Sequence, residues 1–201
     1  MKSMRMSILV IVAPALAYAT GSAAAQTTPA APAAQSDILQ RAINTPGTNW
    51  TIYGAGQTAK LGKTTGVPGN EAMRVAVTVQ GQNPWDVGAL SPIQKPIAAG
   101  DVILVAVYLR APQLADGQTA PIAFLGATAS TAPYDGIAGQ PVTIDNHWKL
   151  YYASGKATKA FAAGAARVSL QLATAKNVLE LGPVFVLDFG ADYDPAKLPR
   201  N

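Results

Sequence analysis

Residues 72–112 read AMRVAVTVQGQNPWDVGALSPIQKPIAAGDVILVAVYLRAP. The stretch opens on an alternation in which Met73, Val75, Val77 and Val79 interleave with Ala72, Arg74, Ala76 and Thr78. A strand sends successive side chains to opposite faces, so the aliphatic set points to a core and the other set away from it. Gly81-Gln82-Asn83 reads as a turn, and Pro84-Trp85-Asp86 leads into a second strand. Ala99-Gly100-Asp101 turns into a third, in which Ile103, Val105, Val107 and Leu109 share the core face. Val102, Leu104, Ala106, Tyr108 and Arg110 share its other face.

The same punctuation continues outward. Strands are expected at about 49–54, 57–61, 71–79, 85–91, 101–110, 120–126, 141–144, 148–154, 166–173 and 177–189. Further turns are expected at Pro68-Gly69-Asn70, Asp116-Gly117, Asp135-Gly136 and Asp145-Asn146. In 166–172, Val168, Leu170 and Leu172 point inward, opposite Arg167, Ser169 and Gln171. Ser36 can cap a short helix over 37–43, with Asp37 favourable in its first turn. The alanines of 156–166 favour helix, but Gly164 and the strand-like run after it favour a loop with a helical turn. Short strands with turns this frequent make an all-β sandwich or barrel. Three strands pair an aliphatic face with a sparsely polar one, as a jelly roll with a shallow groove on one outer sheet would.

Residues 1–25 have the form of a secretory signal peptide. Lys2 and Arg5 precede an apolar run interrupted by Pro14, and Ala23-Ala24-Ala25 supplies a cleavage site. Residues 26–35 (QTTPAAPAAQ) form an uncharged Pro/Ala-rich spacer. A β-sandwich domain over 36–190 and a C-terminal tail over 191–201 complete the expected organisation, in a chain periplasmic or secreted by a bacterium. Without Lys2 and Arg5 the remaining 13 basic and 11 acidic residues leave a charge of only +2. No Lys/Arg cluster suggests nucleic acid, and no segment suggests a membrane-embedded protein. The absence of cysteine excludes thiol chemistry, and a charged fraction of 13% fits a neutral ligand. One histidine, His147, and no nucleophile elbow argue against an enzyme. Asp188, Asp192 and Asp194 cluster in a Pro-bounded tail expected to be solvated or loosely docked, which is a poor setting for a glycosidase pair.

Trp50, GVPGNEAMRV (66–75), NPWDVGAL (83–90), PIAAGDVILVAVYLRA (96–111), DNHWKLY (145–151), RVSLQLA (167–173) and LELGPVFV (179–186) occur in this order along the chain. In this ordered set the chain resembles a family 4/9-type carbohydrate-binding module with the galactose-binding-like jelly-roll fold. The resemblance covers about residues 48–189. It implies binding of a polysaccharide or oligosaccharide by aromatic platforms and planar polar groups, often beside a structural calcium ion and joined to a glycoside hydrolase. The family segment usually continues Trp-Asp-Val-Gln, whereas Gly88 stands here. If that position faces the groove, one hydrogen bond to sugar is gone.

Four residues are candidates for ligand contact. Trp85 offers a flat apolar face that can stack on a pyranose ring, or can pack at the sandwich edge. Tyr108 and Arg110 lie two apart on one strand, about 7 Å from each other. The Arg110 fork suits paired hydroxyls, or an ion pair with Asp86 or Glu180. Gln171 adds an amide. Trp50 and Trp148, at strand starts among aliphatics, read as core. The expected function is an exported, non-catalytic module binding a neutral carbohydrate without a cofactor. The alternative is a structural or protein-interaction jelly roll of the cell envelope, or an accessory to a secreted glycosidase.

Overall fold

The computed structural model describes residues 38–201, all within the unit Pro32–Asn201. The expected signal peptide, spacer and Ser36 cap lie outside the described residues. Ten strands form: β1 (Thr51–Tyr53), β2 (Gln57–Lys63), β3 (Glu71–Val77), β4 (Gly88–Ile93), β5 (Val102–Arg110), β6 (Ala120–Ala129), β7 (Gly136–Ile144), β8 (Lys149–Lys156), β9 (Ala166–Gln171) and β10 (Asn177–Asp188). They build two antiparallel five-stranded sheets, ordered β1-β4-β9-β6-β7 and β2-β3-β10-β5-β8. The chain passes from one sheet to the other at nearly every connection after β4, which makes the sandwich a jelly roll.

Between the sheets lies one apolar interior. Val75, Ile93, Val105, Leu109, Ile122, Leu125, Ile144, Val168, Leu170 and Val186 are among its fully buried members. The expected core set of β5 is therefore inside, as is that of β9. Val79 is not: β3 ends at Val77, Thr78 donates its amide to the Gly56 carbonyl, and Val79 is 59% exposed. β10 carries an irregularity between Leu181 and Val184. Trp50 and Asn44 satisfy the backbone there. Trp50 Nε1 donates to the Gly182 carbonyl at 2.9 Å. The Asn44 amide donates to the Val184 carbonyl at 3.0 Å and its Oδ1 accepts from the Val186 amide at 2.8 Å. Both side chains are buried, and they pair backbone groups that the irregularity takes out of the regular ladder.

A second, smaller core covers the outside of the β2-β3-β10-β5-β8 sheet. Ala42, Val102, Leu104, Leu187 and Leu198 are buried together, with Tyr152, Phe189 and Tyr193 packed against them. Of the two expectations for the tail, solvated or loosely docked, the structure shows it docked. Its last residue, Asn201, pairs both ways with the Tyr152 backbone at 2.9 Å, like one more strand position. Among the described residues the expected helix over 37–43 occupies only 38–40, and Ala42 already bridges Leu187. Residues 157–165 hold no helix; Phe161 bridges Ile97 instead.

Candidate functional site

Strand register arranges the outward residues of the β1-β4-β9-β6-β7 sheet in transverse rows. In the first row Tyr53 pairs with Gly88, Gly88 with Gln171, and Gln171 with Phe124. In the second, Thr51 faces Leu90, Leu90 faces Ser169, and Ser169 faces Gly126. In the third, Pro92 faces Arg167, Arg167 faces Thr128, and Thr128 faces Gly136. The rows are about 7 Å apart along the strands. Their inward neighbours Ala89, Val168, Leu170, Leu125 and Ala127 belong to the interior, which fixes this alternation.

Two glycines make room for the aromatics of the first row. A Cβ at Gly88 would sit 2.5 Å from Tyr53 Cζ, and one at Gly139 would sit 2.6 Å from Phe124 Cζ. Tyr53 therefore lies over Gly88, in the space where the resembling family carries a polar side chain. Burial raises the Tyr53 hydroxyl pKa above the usual phenol range, against the opposing pull of the Arg167 charge.

Two exposed aromatics stand on loops around this floor. Trp85 sits on the single 3-10 turn Pro84–Asp86 that precedes β4, and is 55% exposed. Its turn is held by a capping box. Asp86 accepts from the Asn83 amide at 2.9 Å, and Asn83 Nδ2 donates to Asp86 at 3.4 Å. Tyr134 lies in the β6–β7 connection with φ of 59°, a left-handed conformation unusual for a residue with a Cβ. It is 53% exposed, and its ring packs under the Arg167 guanidinium, 4.9 Å from ring centroid to Cζ. Together these residues line an open groove of about 800 Å³ with Leu90, Thr128, Ser169 and Gln171.

Of the four residues proposed from sequence, the structure brings Trp85 and Gln171 into this groove. It does not bring Tyr108 and Arg110 there. β5 belongs to the other sheet, so both point out of the opposite side of the sandwich. Tyr108 lines an apolar cavity of about 620 Å³ with Leu104, Ala106, Tyr152 and Phe185. Arg110 is held by Glu180, at 2.6 Å from Nη2 and 2.7 Å from Nε, and stacks on Trp148 at 4.7 Å. The ion pair with Glu180, one of the two considered for Arg110, is the one that forms. Tyr53, Phe124, Tyr134 and Arg167 are site residues that sequence reasoning did not single out. For Arg167 the signal existed, because it shares a strand face with Gln171. Trp50 is buried, and Trp148 is half-buried with its Nε1 unpartnered.

No family model and no curated protein matches the sequence. Solved structures match the fold. A family 4 carbohydrate-binding module superposes with a TM-score of 0.52 at 16% identity, over 75% of this chain and 99% of that one. The chain shares the jelly-roll fold of that module. The C-terminal family 22 module of Clostridium thermocellum xylanase 10B, whose cleft residues act in ligand binding, gives 0.50 at 15% identity, over 77% of this chain and 98% of that one. The N-terminal family 22 and catalytic modules of the same xylanase, complexed with xylohexaose, give 0.51 at 15%, over 77% of this chain and 29% of that one. Among the described residues no cluster of three or more His, Cys, Asp or Glu side chains could hold a metal ion, and no helix is long and apolar enough to cross a membrane. Among the described residues no carboxylate lines the groove.

Proposed function

We propose that the chain is an exported, non-catalytic carbohydrate-binding module that takes a polysaccharide in the groove of the β1-β4-β9-β6-β7 sheet. The observation that carries this reading is the set of exposed rings, Trp85 and Tyr134, around a floor that presents the Gln171 amide in its first row. Aromatic faces cover the C–H face of a sugar ring, while amide and hydroxyl groups match its edge hydroxyls. Tyr53 and Phe124 extend the apolar part of the floor, and Ser169 and Thr128 its polar part. The groove holds no pair of carboxylates to act as acid and base, which supports binding without turnover. The neighbours' attachment to glycoside hydrolase modules suggests such an enzyme as a partner. Arg110 and Tyr108 are assigned to packing and ion pairing on the far sheet.

Affinity electrophoresis in gels carrying soluble polysaccharides tests the reading. Retardation by one polymer is expected. Trp85→Ala and Tyr134→Ala should each weaken it by about tenfold, and Tyr108→Ala should leave it unchanged. Loss in Tyr108→Ala with the groove variants unaffected would move the site to the other sheet. No retardation by any polymer would favour the protein-interaction alternative.

A further inference from the structure

The groove contains a single charge, and no acidic side chain among the described residues pairs with it. Arg167 stands in the third row of the floor, and its Nε is buried without a hydrogen-bond partner. It forms no ion pair among the described residues. The nearby acids are committed elsewhere: Asp86 to Asn83, and Asp135 to Lys159. Arg167 is half-buried, so an anionic oxygen can still reach the terminal nitrogens of its guanidinium. Tyr134, held at positive φ, lies with its ring against the guanidinium. The two terminal nitrogens of the guanidinium, side by side, match the two oxygens of a carboxylate. Thr128, directly across the strand pair, and Ser169, next on the same face of β9, can donate to the same oxygens.

We infer that the groove selects a glycan bearing a uronate carboxylate, which Arg167 anchors while Trp85 and Gln171 hold the sugar ring of a neighbouring unit. The inference rests on the groove being the glycan site, and it replaces the expectation of a neutral ligand.

The full chain is run in affinity gels of polygalacturonate, alginate and glucuronoxylan, beside neutral arabinoxylan and β-glucan. Methyl-esterified polygalacturonate supplies the same backbone without charge, and carrageenan supplies a sulfate in place of a carboxylate. The expected result is retardation by at least one uronate polymer, weakened by raised salt and, for polygalacturonate, by esterification. Arg167→Gln should weaken it by about tenfold or more. Arg167→Lys, which keeps the charge but not the fork, should fall between. Equal retardation of wild type and Arg167→Gln by neutral polymers would overturn the uronate assignment and leave the groove as the glycan site. Retardation by carrageenan but no uronate polymer would also overturn it. Retardation by no polymer would remove both readings. Salt and esterification are read on the unaltered protein, so the test survives a variant that does not fold.

Discussion

Gly88 is where one residue's absence of a side chain determines what the site presents. Its partners across the sheet are Tyr53 on one side and Gln171 on the other, and the Tyr53 ring occupies the space above it. Gly88→Gln restores the polar residue of the resembling family, but its Cβ and Tyr53 cannot share that space. The expected outcome is a displaced tyrosine and affinity weakened by about as much as in Tyr53→Ala, with Gly88→Gln/Tyr53→Ala no weaker than either single variant. Isothermal titration with the retarding polymer reads this, and a Gly88→Gln protein binding as tightly as wild type would remove Tyr53 from the site. Trp85 and Gln171 were legible because an exposed-type aromatic after a turn and an amide opposite a core face are local patterns. Tyr53 was not, because its role depends on which residue pairs with it two strands' distance along the chain.

At the scale of elements, period 2 assigned faces correctly within the strands, failing at Val79 beyond the end of β3, and left open which sheet each strand joins. The polar faces of β3, β5 and β9 look alike in sequence, yet β9 lies in one sheet and β3 and β5 in the other. Tyr108 and Arg110 were therefore placed beside Gln171 in error of side, not of face. β7 was shortened because Gly136, Gly139 and Pro141 interrupt its pattern, although the strand runs from Gly136 to Ile144. The far sheet is tied by a row across three strands: Arg74 on β3, Glu180 on β10 and Arg110 on β5. Glu180 is only 8% exposed and joins both guanidiniums, at 3.1 Å to Arg74 and 2.6 Å to Arg110. Removing its charge leaves two partly exposed cations facing each other. Glu180→Gln is expected to cost about 2 kcal/mol after discounting for the exposure of the arginines. This corresponds to a fall of roughly 4–8 °C in Tm by calorimetry. Polysaccharide affinity should not change, and a large loss of binding would place the glycan on this sheet.

For the molecule as a whole, both ends of the described chain converge on the outer face of the second sheet. The sequence carried a sign of this in VILVAVYLR, a strand apolar on both faces from Val102 to Ala106 and hence covered on both. What covers it was not readable, because Phe189, Tyr193 and Leu198 are spaced without period among Gly, Asp and Pro. Asp188 sits where β10 hands over to this tail, accepting from the Gly190 amide at 2.8 Å with Asp101 beside it. Burial, then the neighbouring Asp101 carboxylate, hold Asp188 above the usual carboxylate range, against the opposing Gly190 amide and Arg41. A raised folded pKa means the folded state binds this proton more tightly than the unfolded chain does. The stabilisation is fully present below the ordinary aspartate value of about 4. It is lost as pH rises through the raised value. Asp188→Asn cannot ionise and keeps an oxygen for the Gly190 amide. It should be more stable than wild type at pH 7, and the difference should shrink toward pH 4 and below. Urea midpoints of the two proteins across that range measure it. A difference that stays constant with pH would mean that folding does not shift the Asp188 pKa, and an asparagine variant weaker at pH 7 would mean that the Asp188 charge is favourably placed and helps to hold the tail on the sheet.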